Sequence, residues 1–312
     1  MNIIPIVFAF DINLILPACV CISSLLMNAK EDTFYNIFIL HSKRINLQKE
    51  KLDKIMIHFN NCKIQYRTVD DTFDDAFEIR GITASTYYRL MIPEFIPEYK
   101  TIFYSDVDVI FREDLSELYM NTDITGYYVA GVNSLSHLNP STNKYYNEII
   151  GIDSKNIIYA GNILMNSELL RSDNVISQFK KHVIKKYRFQ DMDILNVVCQ
   201  GKIKYLSPSF CLTTDISEYA SKKRETILKI WSNEEIENAL EKGIVHYNGQ
   251  KPWKGVCINF DIWWEYYRKS PFYDEKFYFN FFYSKLNEYD QLSLWKRIKI
   301  LIRFFVYGKK TL

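Results

Sequence analysis

The chain has 312 residues, of which 48% are hydrophobic and 24% are charged, and its formal net charge at pH 7 is +2. This composition is that of a globular protein and excludes a disordered or fibrous one. The small net charge also argues against nucleic acid as a partner, because proteins that bind nucleic acid are usually strongly basic.

The first part of the sequence alternates between predicted strands and helices. Apolar runs at residues 3–9, 35–40 and 63–67 are typical of strands, and helical spacing is found from residue 12 to about 27 and from 47 to 59. This alternation predicts an α/β fold whose sheet is mainly parallel.

An uncharged run from Ile12 to Ala29 has about the length of a membrane span. Asp11 precedes this run, Pro17 lies within it, and it contains several polar Asn and Ser side chains. These features favour a segment that is buried in a folded domain, and a membrane span is the alternative.

Two aspartates follow the next predicted strand. A helix is predicted at 83–90, and a strand at 101–104 continues into Asp106, Val107 and Asp108. In an extended chain alternate side chains share a face, so both carboxylates can point at one site while Val107 anchors the strand. Such a pair suits Mg²⁺ or Mn²⁺ bound with a diphosphate. A polar strand end, or a phosphatase with a nucleophilic aspartate, would also explain the pair alone.

Residues 246–253 read His-Tyr-Asn-Gly-Gln-Lys-Pro-Trp and form a second cluster of candidate site residues. His246 offers a nitrogen ligand, Gly249 allows the backbone to approach a phosphate, and Lys251 offers a positive charge to a diphosphate. A surface loop with a hydrogen-bonded histidine is the alternative, but the close spacing of these residue types favours a site.

Aromatic residues dominate the sequence after residue 255, and we therefore predict a domain at 1–255 and an extension at 256–312. Residues 292–307 can form an amphipathic helix, and no acidic residue occurs from Gln291 onward. The basic side is formed by Lys296, Arg297, Lys299 and Arg303, and the apolar side by Leu294, Ile298, Leu301, Ile302 and Phe305. The helix either caps the domain or lies on an anionic membrane, and its aromatic residues favour the membrane.

The six cysteines are scattered without the paired spacing of a zinc site. This pattern indicates reduced thiols rather than a disulfide framework. We therefore expect a cytoplasmic protein.

Together these motifs resemble glycosyltransferase family 8, the bacterial lipopolysaccharide galactosyl- and glucosyltransferases related to glycogenin. The matching motifs are an Ala-x-Asp-x-Asn loop at 9–13, Tyr-x-Arg-Leu at 87–90, Tyr-x-Asp-x-Asp at 104–108, and the loop at 246–253. The resemblance spans about residues 3–253 and implies a Rossmann-like nucleotide-sugar-binding fold of GT-A type, with a small helical and aromatic C-terminal extension. Residues 1–255 would form the catalytic domain, and a phosphatase would need neither the first motif nor the last.

The resemblance implies that a UDP-hexose and a divalent metal, Mn²⁺ or Mg²⁺, bind to this domain. The residues that it places around them are Ala9, Asp11, Asn13, Arg89, Asp106, Val107, Asp108, Ala160, Gly161, Asp191, His246, Gly249 and Lys251. Asp106, Asp108 and His246 would be the metal ligands. The loop at 9–13 would recognise uridine, and Gly249 and Lys251 would hold the diphosphate.

Three residues are implied at the catalytic position. Arg89 would contact the donor sugar or its phosphate, Asp191 would bind sugar hydroxyls, and Met192 stands where the family usually has glutamine. The family's Asn-Ala-Gly turn is changed as well, to Tyr159-Ala160-Gly161. Because Met192 is no nucleophile, we predict retention of anomeric configuration by front-face attack.

The predicted activity is transfer of galactose or glucose from UDP to a saccharide acceptor. The basic, aromatic tail suggests a lipid-linked acceptor, as in lipopolysaccharide or other surface polysaccharide synthesis, and contact with the inner face of the cytoplasmic membrane. The changes at Met192 and Tyr159 leave two alternatives, a nucleotide-sugar-binding protein without turnover and a slow UDP-sugar hydrolase.

Overall fold

The computed structural model describes residues 1–44, 47–69 and 84–307. The strands are β1 (Asn2–Ala9), β2 (Thr33–Ser42), β3 (Cys62–Val69), β4 (Thr101–Ser105), β5 (Val109–Ile110), β6 (Val129–Asn133), β7 (Ile158–Asn166), β8 (Ile203–Leu206), β9 (Leu212–Thr213) and β10 (Val245–His246).

The α-helices are α1 (Ile15–Met27), α2 (Lys49–His58), α3 (Ile92–Phe95), α4 (Ser116–Asn121), α5 (Pro140–Lys144), α6 (Ser167–Ser172), α7 (Val175–Val183), α8 (Gln190–Val198), α9 (Thr214–Lys222), α10 (Arg224–Ile227), α11 (Asn233–Lys242), α12 (Phe260–Lys269), α13 (Glu275–Asp290) and α14 (Leu294–Tyr307). Short 3₁₀ helices occur at Ile12–Leu14, Ala84–Met91, Ser136–Leu138, Ser154–Asn156 and Pro208–Phe210, and a π-helix at Tyr145–Ile150.

Seven strands form the central sheet in the order β3-β2-β1-β4-β7-β6-β8. The first four in this order are parallel, β7 runs antiparallel to both of its neighbours, and β8 is parallel to β6. A second, small sheet has the order β5-β10-β9. The prediction of an α/β fold with a mixed, mainly parallel sheet is therefore confirmed.

The predicted strands at 3–9, 35–40 and 63–67 and the helices at 12–27 and 47–59 are confirmed, with small shifts of their ends. The predicted helix at 83–90 is a 3₁₀ helix at Ala84–Met91, and Thr83 lies outside the described residues.

One prediction about the strand at 101–110 is wrong. Residues 106–108 form a bend instead of continuing the strand, because β5 leaves the large sheet and pairs with β10. The two aspartates are therefore presented by a turn of the chain and not by a pleated strand.

The uncharged run from Ile12 to Ala29 forms a short 3₁₀ turn and the buried helix α1. Residues 17–26 of α1 are all buried, and residues of α1 and of the central strands share one apolar core. Within the described ranges, no helix combines the length and the apolar character that crossing a membrane requires.

The chain divides into two compact units, of which the first comprises Met1–Pro252 and Val256–Phe272. The aromatic helix α12 belongs to this unit, since Trp263, Trp264 and Tyr267 are buried and the Trp264 indole donates to the carbonyl of Pro252 at 3.2 Å. The compact unit thus ends later than the predicted boundary at residue 255, because these three rings complete its core.

The second unit comprises Trp253–Gly255 and the chain from Tyr273, and it contains α13 and α14. The predicted helix at 292–307 is present as α14. Its apolar side chains Leu294, Leu301, Ile302 and Phe305 are exposed, as are its basic residues Lys296, Lys299 and Arg303.

Replacing Trp264 with alanine is expected to lower the free energy of unfolding by about 3–5 kcal/mol, because it removes a buried indole from the core. The matched control is Trp295→Ala in α14, where the side chain is 79% exposed and the expected change is within about 0.5 kcal/mol. Urea denaturation of both variants measures the difference. Equal effects of the two substitutions would contradict the assignment of α12 to the core.

Candidate active site

The carboxyl ends of β1 and β4 lie side by side and begin the site. Phe8 is opposite Ser105 in the parallel register, so the segments that start with Ala9 and Asp106 leave the sheet together. Asp11 caps the following 3₁₀ helix, and its Oδ1 accepts a hydrogen bond from the Asn13 amide at 2.8 Å. The loop at 9–13 is thereby held beside the Asp-x-Asp segment.

β7 closes the other side of this segment. The Asp106 amide donates to the Gly161 carbonyl at 2.7 Å, and Gly161 itself is buried. A Cβ atom on Gly161 would overlap the ring of His246 and lie 2.9 Å from Asp106 Oδ2. Glycine is required here because the two site residues occupy the space of a side chain.

The small sheet brings His246 to the aspartates. Val109 is paired with His246 in the antiparallel register of β5 and β10, and the Tyr247 amide donates to the Asp108 carbonyl at 2.9 Å. His246 is buried, with Nε2 3.3 Å from Asp108 Oδ1 and 3.7 Å from Asp106 Oδ2.

Asp106, Asp108 and His246 form a group whose ligand atoms all lie within 4.8 Å of one another. Two hard carboxylate oxygens and one imidazole nitrogen suit a divalent ion such as Mn²⁺. The space that Gly161 leaves open and this donor set both fit a cation-binding site. The site residues predicted from sequence are thus brought together from three distant segments.

Two positive groups compensate the charge of Asp108. Burial would raise the pKa of this carboxyl, but His246 and the ammonium of Lys251, which contacts Oδ2, hold it well below its usual range. Burial likewise favours the neutral form of His246, but Asp108 raises the pKa of the ring to about 10. The Asp108 carboxylate is therefore ionised and available as a ligand.

Arg89 connects the aspartate pair to α8. Its Nη2 donates to Asp106 Oδ1 at 2.7 Å and its Nε lies 2.9 Å from Asp191 Oδ2, while Nη1 donates to the Ala160 carbonyl at 2.6 Å. Burial disfavours the guanidinium charge, but Asp106 and Asp191 raise the Arg89 pKa above its usual range. Arg89 is therefore a buried cation that bridges two carboxylates.

The family profile of glycosyl transferase family 8 matches residues 5–257, which include every residue described above. The chain belongs to glycosyl transferase family 8. It is 26% identical over 265 residues to a putative glycosyltransferase of Haemophilus influenzae, covering 76% of this chain and 75% of that protein.

Solved structures of glycosyltransferases share the fold of this family 8 chain. The bifunctional glycosyltransferase WbbM superposes with a TM-score of 0.73 at 22% identity, covering 89% of this chain and 51% of WbbM. This chain therefore spans about half the length of WbbM. The galactosyltransferase LgtC, in complex with donor and acceptor sugar analogues, gives 0.69 at 22% identity, covering 88% of this chain and 98% of LgtC. The expected GT-A type fold is confirmed.

Asp191 and Met192, the family 8 positions next to the expected sugar site, lie in the first turn of α8. Both Asp191 oxygens have partners, since Oδ1 accepts from the Thr86 hydroxyl at 2.7 Å and Oδ2 pairs with Arg89. Burial raises the Asp191 pKa, and Arg89 opposes that rise. Met192 is partly buried and packs beside the apolar cluster of Ile152 and Ile157.

The remaining predicted residues lie around this group. Val107 is buried in the core below the aspartate pair, as its predicted anchoring role requires. Asn13 and Gly249 are exposed, and Lys251 contacts Asp108 rather than open solvent. The roles of these residues toward uridine, diphosphate and sugar stay predictions.

Tyr159, which replaces the family's asparagine, has a structural partner set of its own. Its hydroxyl contacts Asp215 Oδ2 and accepts from the Leu135 amide at 3.1 Å. Asp215 in turn accepts from Thr213 in β9, the residue opposite His246 in the parallel register of β9 and β10. The substitution thus links the Ala160-Gly161 turn to the strand pair that carries His246.

Sequence reasoning gave no role to three residues that contact the predicted site. The Tyr104 hydroxyl donates to Asp106 Oδ1 at 2.7 Å, Thr86 binds Asp191, and Cys211 Sγ lies 3.5 Å from His246 Nδ1. Tyr104 stands in the Tyr-x-Asp-x-Asp motif, which could have indicated its contact. No pattern in the sequence indicates the other two contacts.

A cavity of about 230 Å³ lies away from this group of residues, near the end of α8 and β8. Its lining includes Asn156, Gln200 and Tyr205 and none of the predicted site residues. The candidate active site is therefore defined by the convergence of charged side chains and not by this cavity.

Replacing Gly161 with alanine is expected to weaken Mn²⁺ binding at least about tenfold, because the new methyl group displaces His246 or Asp106, and lost positioning of ligands costs 10–100-fold in metal affinity. Gly131→Ala is the control, because its Cβ would meet only the side chains of Ile158 and Ile163. Titration of Mn²⁺ followed by electron paramagnetic resonance measures the affinity. An unchanged affinity in Gly161→Ala would contradict the cradle.

Proposed function

We propose that this family 8 protein transfers galactose or glucose from a UDP-sugar to a saccharide acceptor, with retention of configuration. The observation that carries the proposal is the convergence of Asp106, Asp108 and His246 at the carboxyl ends of β1 and β4. In open α/β sheets, nucleotides bind at this edge. The LgtC structure with donor and acceptor sugar analogues has the same fold, which supports the same general use of the site.

Asp106, Asp108 and His246 would hold Mn²⁺ or Mg²⁺. Such an ion supplies positive charge where negative charge develops on the departing diphosphate. The loop at 9–13 would bind uridine from the neighbouring strand end. Gly249 and the Lys251 ammonium would meet the diphosphate, which requires Lys251 to exchange its contact with Asp108 for a phosphate oxygen.

Two contacts of Asp191 support front-face attack. A carboxylate that serves as nucleophile needs a free oxygen directed at the anomeric carbon. Both Asp191 oxygens accept bonds, from Thr86 and Arg89, and Met192 has no nucleophilic atom. The departing phosphate oxygen would therefore take the proton of the acceptor hydroxyl. A glycosyl group trapped covalently on Asp191 would contradict this route.

The acceptor is proposed to be a saccharide carried by a lipid at the cytoplasmic face of the membrane, as in lipopolysaccharide or other surface polysaccharide synthesis. Helix α14 supports this proposal, since it exposes Trp295 and Phe305 beside Lys296, Lys299 and Arg303. Aromatic and basic side chains together suit the interface of an anionic membrane.

The decisive test is release of UDP from UDP-glucose, UDP-galactose and other UDP-sugars, with and without Mn²⁺. We expect Mn²⁺-dependent release from one UDP-hexose, and a loss of at least about 100-fold in Asp108→Ala because a ligand of the ion is removed. Glu31→Ala, which removes an exposed carboxylate, is the control and should keep full activity.

Other outcomes of this test separate the alternatives. UDP binding without release, across a broad panel of saccharide acceptors, would replace the proposal with a binding protein that has lost turnover. Free sugar that appears at the same rate with and without acceptor would identify a hydrolase. Release that needs no divalent ion, and is unaffected by Asp108→Ala, would refute the assigned site.

Membrane contact is tested with vesicles that contain phosphatidylglycerol. Changing Lys296, Lys299 and Arg303 together to glutamate should lower the partition coefficient by about two orders of magnitude, since each basic residue near the surface contributes about 1 kcal/mol. The control carries the same charge change at Lys51, Lys54 and Lys63, which are exposed in the first compact unit. Equal binding by both variants would exclude α14 as the anchor.

A further inference from the structure

The two ring nitrogens of His246 face different groups. Nε2 is directed at the carboxylates of Asp106 and Asp108, at 3.7 and 3.3 Å, and Nδ1 lies 3.5 Å from Cys211 Sγ. A histidine that ligates a metal through one nitrogen must carry its proton on the other, and the partner of that second nitrogen decides which form is present.

We propose that Cys211 is the positioning residue of the metal-binding histidine. Its sulfur accepts a hydrogen bond from Nδ1–H, which leaves the Nε2 lone pair directed at the cation. The proposal rests on the proposed function, because it assumes that Asp106, Asp108 and His246 bind a divalent ion.

The surroundings of Cys211 support this role. The side chain is fully buried, and Leu212 and Thr213 follow it in β9, which pairs with the strand that carries His246. On one face the ring lies against Gly161, where no side chain fits. With Cys211 at Nδ1 the imidazole is therefore fixed in position and in its hydrogen-bonding sense.

A thiol is an unusual partner for this task. Histidines that bind metals mostly donate to a carboxylate, a carbonyl or a water molecule, and a sulfur atom is a weaker acceptor than these. Sulfur is also large and polarisable, so it fills the buried space while it accepts the bond. Removal of the acceptor should cost metal affinity more than it costs the fold.

The test compares Mn²⁺ affinity in the full-length wild-type protein, Cys211→Ala and Cys211→Ser, measured by electron paramagnetic resonance in the absence of any UDP-sugar. Cys211→Ala should raise the dissociation constant about 10–100-fold. Cys211→Ser, which keeps an acceptor, should recover a large part of this loss. The matched control is Cys199→Ala, another fully buried cysteine, placed at the end of α8.

The thermal unfolding midpoints of Cys211→Ala and Cys199→Ala separate positioning from a general loss of stability. Similar midpoints, with weakened Mn²⁺ binding in Cys211→Ala alone, support the proposal. Mn²⁺ affinity that is the same in Cys211→Ala and wild type overturns it. Failure of the wild type itself to bind Mn²⁺ is a different outcome, since it overturns the proposed function and with it the inference.

Discussion

Charge compensation among three shielded carboxylates is the constraint on which the rest of the site depends. The side chains of Asp106, Asp108 and Asp191 are only 23%, 16% and 9% exposed, and an unpaired carboxylate in such a place is costly. Arg89 lies between two of them and Lys251 contacts the third. The positions of both cations follow from this requirement before any ligand is considered.

The sheet order explains how these charges meet. β4 lies between β1 and β7, so the ends of three strands that are far apart in the sequence are adjacent at one edge. The chain then leaves the large sheet at the bend after Ser105, and the small sheet adds His246 from a fourth segment. Each site residue is fixed by backbone pairing close to it, which limits its movement relative to the others.

Much of the fold and of the candidate site could be predicted from the sequence. The apolar periodicity gave the strands and helices, and short motifs gave Asp106, Asp108 and His246. Strand order, the antiparallel placement of β7 and the break at residues 106–108 could not be predicted, because they depend on pairing between distant segments. The partners Thr86 and Cys211 were missed for the same reason. The predicted boundary at residue 255 followed composition, whereas α12 follows the packing of its rings.

The distance in sequence between the site residues has a consequence for folding. Lys251 and Asp108 are 143 residues apart, so their contact forms only after the chain between them has folded. A cation that binds this group would recognise the complete fold and not the unfolded chain. Such selective binding adds free energy to the native state, about 2.7 kcal/mol when the free ion is present at 100 times its dissociation constant. Resistance of the chain to proteolysis in the cell would then depend on the supply of that ion.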